Sequence, residues 1–277
     1  MSGVRRVVPL TFGWEHLGKS VSVYGADPSI RMREPVPGVL CEVDGGWLLL
    51  DTGFNPAFVR DVPFRRRFND SLGDYEAELP DPVRDPLVAA FDLVGLDPSI
   101  VTAVGVSHFH LDHSGGLRWF AGEVPVFAQR AELEYVLDSP HPEPERNAMF
   151  RVDVDDPNID WHVADGDVEI APGVTAVLTA GHSPGHQSFV IDLDESVGGG
   201  GYVFAFDAAD LQENLDDELP VGHAIGMPPE QTVEAIRRLK SIAAARGYRL
   251  LPGHDPDVWP AFTRELGYPT WDERMGF

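Results

Sequence analysis

The sequence predicts an α/β layered sandwich, and three observations carry that reading. Short apolar runs bounded by Gly, Pro and Asp alternate with helical patterns, the interleaving of a layered α/β fold. Several of these runs end in a side chain able to bind a metal, at Asp51, His108, His182, Asp207 and His254. No stretch shows the composition shift of a linker. Residues 1–277 are therefore read as a single domain whose halves are weak copies of one strand–helix unit packed face to face.

In chain order, residues 1–35 read as irregular, with Trp14, His16 and Tyr24 scattered among glycines and small polar residues. Two apolar runs, 39–43 and 47–50, flank Asp44-Gly45-Gly46 and form a hairpin ending in Asp51-Thr52-Gly53. Residues 54–83, with several prolines and Arg65-Arg66-Arg67, read as an excursion from the core, a loop or lid. Asp85-Pro86 opens a helix that Gly95 stops. A strand at 100–106 follows, then a helical turn at 117–120, a strand at 124–127 and a helix at 131–137. The segment 138–160, rich in Pro, Asp and Glu, reads as an exposed loop with His141 solvated. In the second half, strands are expected at 174–178, 188–193, 202–206 and 248–251. A helix from Pro228-Pro229 to Ala245 places Val233, Ile236, Leu239 and Ile242 on one face, with Gly247 as its stop.

The densest chemistry lies in Ser107-His108-Phe109-His110-Leu111-Asp112-His113-Ser114-Gly115-Gly116. Each of these imidazoles and the carboxylate would need its own partner once desolvated, whereas a divalent cation satisfies them together. Imidazole nitrogen and carboxylate oxygen are the donors expected for zinc or a similar first-row ion. At a strand end, His108 and His110 point to one side and can share a metal. Asp112 and His113 lie past a turn, placed for a second metal beside the first.

With 45 acidic and 21 basic side chains, the net charge is −24. That field repels phosphate backbones and anionic membrane surfaces, so neither nucleic acid nor a membrane is an expected partner. The single cysteine, Cys41, excludes an internal disulfide and reads as a small buried apolar residue. No export signal or membrane span is legible, and a cytoplasmic location is expected. A homodimer is compatible with the sequence.

The series His108-x-His110-x-Asp112-His113, His182, Asp207 and His254 resembles the ligand set of the metallo-β-lactamase fold. Within that superfamily, Gly181-His182-Ser183-Pro184-Gly185-His186-Gln187-Ser188, Asp207-Ala208, Glu213-Asn214, Asp217-Glu218 and Gly253-His254-Asp255 are similar to the N-acyl-homoserine lactonases over roughly residues 36–255. The resemblance implies a four-layer αββα sandwich and two divalent ions, zinc first, with Mn, Fe or Co also compatible. It implies that His108, His110 and His182 hold one ion and Asp112, His113 and His254 the other. Asp207 bridges them, Asp51 supports the site, and His186 is structural rather than a ligand. The substrate would be a small molecule, a lactone or ester opened by hydroxide bridging the metals, with Asp112 passing a proton to the leaving group. One position departs from the family. Three residues after the bridging aspartate the lactonases carry a substrate-contacting tyrosine, and this chain has Asp210. A carboxylate cannot act as a neutral donor unless protonated. Either another group supplies that donor, with Tyr24 a candidate, or the substrate differs. Phosphotriester or thioester hydrolysis on the same metals is the alternative chemistry, and a metal-bound scaffold or sensor the alternative class.

Overall fold

A computed structural model of the chain describes residues 3–61, 75–140 and 147–275. The arginine triplet 65–67 and His141 lie outside the described residues.

Among the described residues, twelve strands form two sheets. The first contains β1 (Arg6–Gly18), β2 (Arg31–Val43), β3 (Gly46–Leu50), β4 (Glu76–Glu78), β5 (Val101–Gly105), β6 (Pro125–Gln129) and β7 (Asp160–Ala164), in the order β4-β1-β2-β3-β5-β6-β7. The second contains β8 (Val168–Ala171), β9 (Val174–Leu178), β10 (Gln187–Asp192), β11 (Gly201–Phe204) and β12 (Arg249–Leu251), in the order β12-β11-β10-β9-β8. Between the sheets, Val39, Cys41, Leu48 and Leu50 pack with Val174, Phe189, Ile191 and Phe204. The helix Pro86–Leu93 covers the outer face of the first sheet through Leu87, Ala90 and Phe91. The helix Pro229–Arg246 covers the second through Ala235, Ile236, Leu239 and Ala243. The result is the four-layer αββα sandwich. Cys41 is buried as expected, and no helix among the described residues is long and apolar enough to cross a membrane.

Three expectations are corrected. Residues 1–35 are not irregular, because β1 runs for thirteen residues and pairs with β2 from Arg6↔Glu42 to Gly18↔Arg31. Most of β1 is buried on both faces, so its sequence lacks the alternation by which a half-exposed strand announces itself. The ends of the 54–83 excursion belong to the fold: Pro56–Arg60 is helical and β4 pairs with β1. The stretch after 147 is not an exposed loop, since Ala148, Met149, Phe150, Val154 and Ile159 are core residues. Strands β7 and β8 close their sheets as short, largely exposed edges in which polar residues interrupt the apolar ones, so neither carries an apolar run to betray it. The terminal helices Val258–Glu265 and Trp271–Met275 extend the fold beyond the last recognised motif, with Trp259 and Phe262 in the inter-sheet core.

Candidate metal centre

The donors are set at the ends of strands and held by the backbone around them. Strand β5 hands the chain to Ser107, whose N–H and hydroxyl donate to Asp51 at 2.6 and 2.7 Å. The same Asp51 carboxylate meets His113 Nδ1 at 2.7 Å, and Ser107 Oγ lies 2.9 Å from His108 Nδ1. One buried carboxylate at the end of β3 thus orients two imidazoles from the histidine loop. Asp51 itself sits at φ 60°, and Phe206, just before Asp207, at φ 47°. Neither is glycine, so each carries a backbone cost of order 1 kcal/mol that the surrounding contacts must offset. Gly115 lets the loop close against the segment after β3, because a Cβ there would lie 1.9 Å from the Asn55 nitrogen.

His182 comes from the turn between β9 and β10. A side chain that sequence reasoning did not single out locks this turn to the histidine loop. Glu132, buried in the helix Arg130–Asp138, accepts from Phe109 N at 3.2 Å, Ser183 Oγ at 2.8 Å and Gly185 N at 2.7 Å. Gly185 is required there, since a Cβ would fall 2.3 Å from the Glu132 nitrogen. The only signal in the sequence was an acidic residue in the first turn of a predicted helix. His254 follows β12, and its Nδ1 lies 3.0 Å from the Pro35 carbonyl.

Two groups of buried donors result, the first made of His108, His110, His182 and Asp207 and the second of Asp112, His113 and His254. In the first, His108 Nε2, His110 Nδ1 and His182 Nε2 stand 2.8 to 3.2 Å apart, with Asp207 Oδ2 at 3.4 Å from His182 and 3.6 Å from His108. In the second, His113 Nε2 lies 2.8 Å from Asp112 Oδ2, and the other oxygen of Asp207, Oδ1, is 3.0 Å from His254 Nε2 and 3.2 Å from His113 Nε2. Asp207 therefore presents one oxygen to each group. The donor chemistry fits divalent ions. Three imidazole N–H bonds brought this close would oppose one another, whereas three lone pairs there grip a cation. The outer nitrogens His110 Nε2 and His182 Nδ1 have no partner.

The electrostatics separate the groups. Burial, reinforced by neighbouring imidazoles, holds His108, His110 and His182 well below the usual imidazole range. Burial acts in the same direction on His113 and His254, but carboxylates override it. Asp112, Asp207 and Asp51 raise His113 well above that range, and Asp207 and Asp112 do the same for His254. Against burial, His113 and His254 keep Asp207 well below the carboxylate range, and His113 keeps Asp112 low.

The sequence-predicted ligands His108, His110, Asp112, His113, His182, Asp207 and His254 all converge here. His186 does not join either group; its Nδ1 meets Thr179 Oγ1 at 2.9 Å, and burial lowers its pKa to about 4. Asp210 lines a cavity of about 290 Å³ over the donors, where burial and then Asp207 push its pKa well above the carboxylate range. Tyr24 is exposed and not among the lining residues; Tyr75 lines the cavity instead and donates to Glu15 at 2.5 Å. Glu15, Glu34 and His223 also line it, and none was foreseen. Burial pushes Glu15 up to about 8 and Glu34 up to about 7.

A four-layer sandwich with these donor groups at one edge defines a metal-dependent hydrolase. The family model of the metallo-beta-lactamase superfamily matches residues 33–254, and the chain belongs to that superfamily. It is similar to the N-acyl homoserine lactonase of Bacillus thuringiensis, 31% identical over 228 residues that cover 82% of this chain and 84% of the relative. The N-acyl homoserine lactonase AttM of Azorhizobium caulinodans is 32% identical over 190 residues, 65% of this chain and 68% of the relative. Among solved structures, an N-acyl homoserine lactone hydrolase with N-hexanoyl-L-homoserine bound at its catalytic metal centre superposes with a TM-score of 0.78. It is 28% identical, and the match covers 92% of this chain and 95% of that one. The dizinc lactonase AidC, at 15% identity and a TM-score of 0.65, shares the fold.

Proposed function

We propose that the chain hydrolyses a small lactone or ester, of the kind N-acyl-homoserine lactones represent, with two divalent ions, zinc first, on the two donor groups. The observation that carries this reading is Asp207, whose two oxygens face separate sets of buried imidazoles beneath one cavity. When bound, such a pair supplies Lewis acidity and water activated near neutral pH. His108, His110 and His182 hold one ion, Asp112, His113 and His254 the other, and Asp207 is shared. The chain's own groups do the rest. Asp51 and Glu132 keep the imidazoles aligned, so the donors lose little freedom on loading. Asp112 lines the cavity, where its carboxylate takes the proton released by the attacking water and passes it to the departing alkoxide. Leu17, Val21, Leu111 and Ala148 give the cavity apolar wall against which the rest of the substrate packs.

The test is turnover by the metal-loaded chain on γ-lactones, N-acyl-homoserine lactones, aryl esters, thioesters and phosphotriesters. Lactone or ester opening is expected to dominate. Faster phosphotriester or thioester cleavage would reassign the substrate class, and no turnover on any of them would leave a metal-bound scaffold.

A further inference from the structure

The wall of the cavity facing the metal centre carries an unusual arrangement. Glu15 on β1 and Glu34 on β2 are directly paired across the two strands, and they are only 8% and 1% exposed. Like charges in directly opposed positions destabilise a sheet, and burial increases the penalty. Among the described residues, neither has a lysine or arginine partner. Glu15 takes a hydrogen bond from Tyr75, and both oxygens of Glu34 face the single hydroxyl of Ser22 at 2.8 and 2.9 Å.

A second, independent observation points into the same space. Asp210, 5% exposed, lines the cavity, and no donor among the described residues reaches its carboxylate. A buried acceptor without a donor is costly unless a ligand brings one. Glu15, Glu34, Asp112, Asp207 and Asp210 all line this cavity, a concentration of carboxyl groups that a cation entering it would offset. Arg31 also lines it, but from an exposed position, donating to the His16 carbonyl at 3.0 Å. Glu15 and Glu34 belong to neither metal-competent group, which argues for an organic cation rather than a further ion.

We propose, resting on the lactone- or ester-hydrolase reading above, that Glu15, Glu34 and Asp210 form a subsite for a cationic group, so that the preferred substrate carries an ammonium or guanidinium beside its scissile carbonyl. A cation there relieves the opposed glutamates and gives the Asp210 carboxylate a donor. A neutral acyl amide supplies a donor without a charge and leaves the glutamate pair uncompensated.

The test uses the full, metal-loaded chain and two probes of one shape, n-propylguanidinium and n-propylurea, titrated calorimetrically. The guanidinium is permanently charged and, unlike a free amine, does not compete as a metal ligand. It is expected to bind about tenfold more tightly than the urea, and the E15Q/E34Q variant to bring the two within about twofold. The single variant E34Q, whose amide oxygen can still accept from Ser22, is expected to remove part of the preference, which keeps the test open if the double variant does not fold. Equal binding of both probes by the native chain, or a preference that survives intact in the variants, overturns the proposal. A hydrolysis arm compares α-amino-γ-butyrolactone with its N-acetyl derivative, and the charged lactone is expected to have the higher kcat/KM. Charge-dependent binding without turnover of either lactone or of any ester in the panel above would retain the cation subsite and refute the hydrolase reading. Turnover with the acetylated lactone preferred, together with equal probe binding, would do the reverse.

Discussion

The two donor groups share an aspartate yet are opposite in character. The His108, His110 and His182 side is made of imidazoles that burial keeps neutral, and it meets a single carboxylate. The Asp112, His113 and His254 side has its imidazoles held protonated by surrounding carboxylates, Asp51 among them for His113. The difference shows that desolvation alone does not decide the state of a buried histidine. The count of anionic oxygens around it does. An ion entering the first side finds lone pairs ready, while one entering the second must displace protons.

The largest effect that can break this comparison is removal of its common member. Asp207→Ala is expected to lower kcat/KM by roughly a thousandfold or more and to reduce metal content at both sites, read by steady-state kinetics and elemental analysis of the same sample. Retention of one full site would show that Asp207 is not shared. Next comes the pair His110→Ala and His254→Ala. Each is expected to cost one ion per chain and nearly all turnover while the fold, followed by circular dichroism, persists. The two should differ in which binding event disappears from a metal titration.

The proton balance sharpens the same contrast. For the second group the folded-state imidazoles lie above their ordinary range, so metal competes with protons and its affinity rises with pH through neutrality. For the first group the imidazoles lie below it, and affinity stays nearly flat. Calorimetric titrations in buffers of differing ionisation enthalpy should therefore resolve one event that releases protons and one that does not. A smaller effect is expected at Glu132, which holds the histidine loop to the His182 turn. Glu132→Ala should weaken metal binding by about 10- to 100-fold, mainly at the first group, since it leaves every donor in place but untethered.

The smallest concerns Glu34. Its folded pKa is raised to about 7 by burial. The stability it contributes is thus full below its unfolded value near 4.5 and is lost as pH rises through 7. In the metal-free chain, Glu34→Gln should raise Tm by about 4 °C at pH 8 and hardly at all at pH 4.5. An equal gain at both pH values would remove the charge from the explanation.

Much of the centre was legible because its chemistry is concentrated. Four donors within six residues and three more at later strand ends leave few alternatives, and the interleaved apolar runs located most of the strands that carry them. What escaped did so for physical reasons. Strand β1 is buried on both faces and shows no alternation. Strands β7 and β8 are short exposed edges whose apolar residues are interspersed with Asp160, His162 and Glu169. Glu132 and Asp51 work through backbone and imidazole contacts that only the folded chain brings together, although the position of Asp51 at a strand end was noted. Glu15 and Glu34 are nineteen positions apart in sequence, and only the β1–β2 register sets them face to face. Asp210 was noticed as a departure from the family pattern, but its neighbours could not be read from the sequence.

The most direct measurement is a crystal structure of the metal-loaded chain with anomalous scattering recorded at the metal edge. Two ions are predicted, one among His108, His110 and His182 and one among Asp112, His113 and His254, with an oxygen of Asp207 on each. A single ion, or ions bound elsewhere while these side chains stay unligated, would contradict the account.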